Sequence, residues 1–140
     1  MMVGMALNDL GDLYNRRGDH ARALPYCERA VAIATADLPT DHPLQVGILR
    51  RLGEALLGLG RTGEARVPLE RALAIGEHAA GDPVELAAVQ LVRARALADH
   101  RGDRARARVL ATAARTAYVD AGARKQRELA AAEAWLAAHP

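Results

Sequence analysis

The chain has 140 residues, 51% of them hydrophobic but only 3% aromatic, with no Phe. That length suits one domain or a short array of repeats, and so few rings suit Ala-rich, closely packed helices rather than a bulky core. A net charge of +2 is too mild to demand a nucleic-acid partner, the single cysteine excludes an internal disulfide, and no apolar run approaches the ~20 residues of a membrane span.

The opening "MMVGMALNDLGDLY" lacks a basic n-region and brings an acid at Asp9, so it does not read as a signal peptide, and a cytoplasmic protein is expected. It leads into a first helix with Leu7, Leu10, Gly11 and Tyr14, ended by Gly18. The second helix carries Ala23, the phrase "CERAVAI" at 27–33 and an interior Pro25, which predicts a local bend. His42 and Pro43 open a third helix, "LQVGILRRLGEALLGLG". Its Leu44, Ile48, Leu52, Leu56 and Leu59 form one helical stripe, and Gly60 ends it with a left-handed cap. Thr62 is the expected N-cap of a fourth helix, which holds Pro68 and "LERALAI" at 69–75 and closes at Gly81. Asp82 and Pro83 open the fifth as N-cap and first-turn proline, with Glu85 placed for a capping box. The sixth follows Gly102. The seventh, "ARKQRELAAAEAWLAAH", sets Leu129, Ala132 and Leu136 on one face, with Trp135 sealing the edge.

The two quoted phrases lie 42 residues apart, and the offset extends along the chain. Gly18, Gly60 and Gly102 obey it, as do Ala23, Ala65 and Ala107, then Ala30, Ala72 and Ala114, then Leu7, Leu49 and Leu91. A fixed period of this size is the mark of a solenoid, in which each unit buries its face only by stacking on a neighbour. The units fall at about 4–43, 44–82 and 83–122, with a capping helix at 123–139. Gly11 and Gly53 sit mid-helix, where glycine costs about 1 kcal/mol against alanine. Their repetition predicts two helices crossing too closely for a Cβ, with Ala23, Ala65 and Ala107 as the small partners.

In order and spacing, Leu7, Leu10, Gly11, Tyr14, Gly18, Ala23 and Ala30 resemble the tetratricopeptide repeat. Leu49, Leu52, Gly53, Leu56, Gly60, Ala65, Leu69 and Ala72 match again. The third unit keeps Leu91, Gly102, Ala107 and Ala114 but has Ala94-Arg95 for Leu-Gly and Ala98 for the aromatic. A period of 42 rather than about 34, with "DHP" before the next helix, resembles the kinesin-light-chain type. "AYVDAGA" followed by "AAEAWLAAHP" resembles the tails of such arrays in bacterial serine/threonine kinases and related signalling proteins. The resemblance implies an all-α, right-handed solenoid whose first helices line a concave groove for a peptide or protein segment. It assigns Asn8, Asp12 and Asn15, then Arg50 and Glu54, then Val92, Ala96 and Asp99 to that groove. Some members hold a C-terminal carboxylate with a Lys/Asn clamp. Asp12 stands where the first Asn would be and the array has no Lys, so the clamp is not carried over.

Little else in the chain suggests chemistry. His20, His42, His78, His100 and His139 are scattered without zinc spacing, and "GDHARA" and "ADHRGD" fall at helix turns. No phosphate loop or kinase loop occurs, so no enzyme, cofactor or metal is expected. Cys27 aligns with Leu69 and Ala111, which makes it a small buried apolar residue. Arg93, Arg95, Arg101, Arg104, Arg106 and Arg108 could form one patch for an acidic peptide or nucleic acid, although no aromatics interleave for base stacking. The apolar start at Met1–Met5 has no polar cap. It suits either a homodimer face or the continuation of a longer array.

Overall fold

The computed structural model describes residues 1–79, 81–98 and 103–140. Among the described residues seven α-helices follow one another: α1 (Met2–Arg16), α2 (His20–Asp37), α3 (Leu44–Gly58), α4 (Thr62–His78), α5 (Pro83–Leu97), α6 (Arg104–Ala121) and α7 (Gln126–Ala138). A 3-10 turn at Gly122–Lys125 precedes α7, and no strand occurs among the described residues. Each helix packs on the next, and α1, α3 and α5 also touch in series. That is the contact pattern of stacked helical hairpins, an α-solenoid.

Local chemistry explains the hairpins. Gly18 and Gly60 adopt φ of +76° and +75°. In each case the following N–H returns to the last turn, Asp19 to Tyr14 and Arg61 to Leu56, both at 2.9 Å. Gly102 lies outside the described residues. Asp19 caps α2 through Arg22 N–H, and Asp82 caps α5 through Val84 N–H. His42 serves α3 differently, its Nδ1 accepting from Leu44 N–H at 3.1 Å.

Three expected caps are corrected. Thr62 is the first helical residue, and Arg61 is the N-cap without a side-chain bond. Helix α4 ends at His78 on an extended Ala79, so Gly81 does not close it. Glu85 closes no capping box; its carboxylate turns to Arg50 instead. Helices α2 and α4 run through Pro25 and Pro68, whose missing N–H groups each delete one rung.

The stripe of α3 is also shifted. Leu44 and Leu59 are exposed at its ends, while Ile48, Leu49, Ala55 and Leu56 are buried. The close crossings are real, but their partners lie one turn further along. A Cβ on Gly11 would stand 2.5 Å from Cys27 Sγ, and one on Gly53 would stand 2.5 Å from Leu69 Cγ and Cδ2. Cys27 and Leu69 occupy equivalent repeat positions, whereas Ala23 meets Gly11 only through its carbonyl oxygen at 3.7 Å. At the far end Ala132 and Leu136 of α7 are buried in the largest cluster, with Leu129 and Trp135 packed on its edge. Trp135 stacks on His139 at 4.1 Å.

One ion network ties units two and three. Arg93, only 5% exposed, donates from Nε to Glu70 Oε1 at 2.6 Å, and Arg106 donates to Oε2 at 2.9 Å. Hydrogen bonding from Arg106 holds the Glu70 carboxyl below its ordinary value; burial opposes this and Arg93 reinforces it. A depressed carboxylate stabilises the fold above its unfolded pKa, and that stability goes as pH falls through the folded pKa. The window therefore opens near the ordinary value of 4.5 and extends downward. Urea titrations at descending pH should show the parent losing stability there. Glu70→Gln should be less stable at neutral pH and shallower in its acid dependence; parallel curves would exclude Glu70 as a source of the acid sensitivity.

Candidate functional site

The inner faces of α1, α3 and α5 carry three adjoining depressions. The first, about 350 Å³, runs from Met5, Asn8 and Asp9 across the start of α3 to Glu85 and Leu86. The second, of the same volume, lies between Asp12, Arg50, Arg51, Glu85 and Tyr118 and reaches Glu128 of α7. The third, also about 350 Å³, holds Asn15, His20, Glu54, Val92 and Arg95. Arg51 and Glu85 are shared by the first two, and Arg16 and Glu54 by the last two. The depressions therefore form one continuous concave surface.

Its floor is charged and internally paired. Arg50 donates from Nε to Glu85 Oε1 at 2.7 Å and from Nη1 to Glu54 Oε1. Burial works against the Arg50 charge, but Glu54 and Glu85 outweigh it and keep the guanidinium more firmly protonated than usual. Arg51 Nε lies 3.3 Å from Asp12 Oδ1, outside hydrogen-bond geometry, and its Nη1 donates to Gly47 O at 3.2 Å. Asp12 also holds Arg16 at 2.9 Å. Asn15 is a structural tie: its Nδ2 donates to Arg51 O at 3.0 Å, and its Oδ1 meets His20 Nδ1 at 2.9 Å. A Cβ on Gly58 would stand 2.1 Å from that His20 ring, so glycine makes room for it.

The residues assigned to the groove from sequence are thus differently placed. Asn8, Asp12, Asn15, Arg50, Glu54 and Val92 line the concave surface. Asn8, Asn15, Val92 and Ala96 are nevertheless buried, Ala96 entirely so. Asp99 lies outside the described residues. Arg51, Glu85, Tyr118 and Glu128 were not foreseen. Arg51 repeats Asp9 at the 42-residue offset, a position the resemblance did not assign to the groove. Glu85 and Tyr118 carried no periodic signal.

Two other candidates change character. Cys27 is buried, and its thiol is pushed up to about 12 by burial and then by Glu54, so it remains an unreactive thiol. The described arginines of the Arg93–Arg108 run are differently engaged. Arg93 and Arg106 share the single carboxylate of Glu70, Arg104 is exposed, and Arg108 donates to the carbonyls of Leu136 and His139 at the end of α7. Arg95 faces the groove, and Arg101 lies outside the described residues. Among the described residues no group of three His, Cys, Asp or Glu side chains could hold a metal, and no helix is long and apolar enough to cross a membrane.

The tetratricopeptide repeat family matches residues 2–78. The chain is similar to solved kinesin-light-chain TPR-like repeats from Podosopora anserina, described as nearly identical repeats. The TM-score is 0.79 at 23% identity, over 96% of this chain and 64% of that one. A single-substitution variant of those repeats gives 0.80, with the same identity and coverage. At that identity the likeness shows the fold alone, and the chain spans 64% of the length of the structures it matches. No curated protein matches it.

Proposed function

The chain belongs to the tetratricopeptide repeat family, and from that premise we propose that it is a non-catalytic scaffold that holds a peptide or protein segment in its concave groove. Repeats of this kind generally serve protein–protein interaction. One observation carries the reading: three depressions on α1, α3 and α5 share lining residues and so offer an extended track rather than an isolated hole. The contacting groups under this reading are Asn8, Asp12, Arg50, Glu54 and Val92, joined by Arg51, Glu85 and Arg95. Paired floor charges favour a partner segment of mixed polarity, bound with modest salt dependence. The resemblance of the tail to arrays in bacterial kinases supports a place in a cytoplasmic bacterial signalling protein.

The test is a selection of short displayed random peptides on the parent and on Ala88→Trp, which fills the middle of the groove from a half-buried position. Peptides enriched on the parent should lose binding to the variant while its helical circular dichroism is unchanged. Equal binding to both would place the partner elsewhere.

A second reading, self-association, rests on the outer strip of α1. Val3, Leu10 and Leu13 are exposed. Their equivalents one unit on, Gln45, Leu52 and Ala55, are buried or half-buried where α3 packs on α2. An apolar strip of this kind fits a contact between two copies. Met5 lines the groove instead, so Leu10→Asp with Leu13→Asp is the sharper probe. Light scattering should then show a parent dimer and a monomeric variant; a parent monomeric at high concentration removes this reading. Nucleic-acid binding by the Arg run is the weaker alternative, since Glu70 offsets one of the two charges of Arg93 and Arg106.

A further inference from the structure

The first depression differs from the other two in its walls. Leu44, Val46, Ile48 and Leu86 face it, and it has room for one large side chain at about 350 Å³. Two glycines keep it open. A Cβ on Gly76 would stand 2.8 Å from Leu86 Cδ1, and one on Gly47 would stand 2.9 Å from Arg51 Nη1 and 3.1 Å from Glu85 Oε1. Pro43 and Met5 form its outer lip, both exposed.

Its charges are unbalanced. Asp9, Asp82 and Glu85 line the chamber against a single cation, Arg51. Arg51 is already matched by Asp12, and Glu85 shares Arg50 with Glu54. Asp9 has no ion pair among the described residues, and Asp82 spends one oxygen on the cap of α5. The local field is therefore negative and attracts a cationic group.

An independent feature points to a ligand. Asn8 lines the chamber and is 4% exposed, and its Oδ1 meets no donor among the described residues. A buried acceptor left unpaired is costly, and a donor that reaches it recovers that cost.

We propose that this chamber is the anchor point of the groove and takes a bulky apolar side chain from a segment with a Lys or Arg beside it. The apolar side chain fills the walls of α3 and α5. A backbone or ammonium N–H donates to Asn8, and the basic group lies against Asp9 and Asp82. The inference rests on the scaffold reading and narrows it to one partner chemistry.

The peptide selection described above tests it, followed by polarisation titrations of the leading fluorescein-labelled peptide. The enriched pool should place a Leu, Ile, Met, Phe or Trp next to a basic residue. Asp9→Lys should weaken binding by about fivefold, the upper scale of one exposed ion pair. Leu44→Ser, at an exposed wall position, should weaken it by at least as much. Both variants should melt like the parent. An acidic or wholly polar pool that still depends on Ala88 overturns the chamber assignment and leaves the scaffold reading intact. So does binding untouched by Asp9→Lys and Leu44→Ser. A pool no different from the starting library overturns the scaffold reading itself, and this inference with it.

Discussion

Leu69→Ala should cost about 2–5 kcal/mol, Gly53→Ala about 1–3 kcal/mol, and the double variant clearly less than their sum. Leu69 is 0% exposed. Its isobutyl group lies over the backbone of α3, where a Cβ on Gly53 would stand 2.5 Å from Leu69 Cγ. Truncating the leucine leaves a cavity between α3 and α4. Adding a methyl to Gly53 gains about 1 kcal/mol of helix propensity, but the overlap forces the branched carbon of Leu69, not a flexible tip, to move. In the double variant the new methyl enters the space the leucine has left. A coupling of about 1–2 kcal/mol is expected, read from urea unfolding of the four proteins followed by circular dichroism. Additive costs would mean that the two side chains do not share the crossing.

Unit three shows the same constraint solved from the other side. Arg95 stands at the position of Gly11 and Gly53, and Ala111 at the position of Cys27 and Leu69. Ala111 is 0% exposed, while Arg95 is exposed and lines the groove, so the residue that replaces the glycine points out of the crossing and a small residue stands on the facing helix.

The period, the helices and the fold were legible because each rests on local or repeated signals: the left-handed glycines, the cap at Asp82, the buried ladder of Ala30, Ala72 and Ala114. The partner of each glycine was not. Register says which residues are equivalent, but the crossing geometry chooses between positions one turn apart on the facing helix, Ala23 or Cys27. The concave face could be assigned to the first helices, yet its pairings could not. Arg50 and Glu85 are 35 residues apart and meet only because α3 and α5 stack. Asn8 and Asn15 looked like exposed polar contacts. Burial of Asn8 makes it an unpaired acceptor, and the bond of Asn15 to Arg51 O makes it part of the frame.

Arg50 is the residue whose role changes most. As one polar side chain in a groove it would be expendable, and its loss would affect partner binding alone. Its position argues otherwise: the side chain is 12% exposed between the carboxylates of Glu54 and Glu85. Arg50→Ala removes the cation and leaves two like charges sharing a partly buried site, at a cost of about 3 kcal/mol. One measurement separates this from a simple packing loss. Adding Glu54→Gln and Glu85→Gln to Arg50→Ala should recover a good part of the stability, since the uncompensated charge goes with them. Urea titrations of parent, single and triple variants at neutral pH decide the matter. A triple variant no more stable than Arg50→Ala would show that Arg50 acts through its methylenes. In the expected case a binding loss in Arg50→Ala reports a damaged groove rather than a lost contact, and partner recognition has to be probed from Asp9, Leu44 and Ala88.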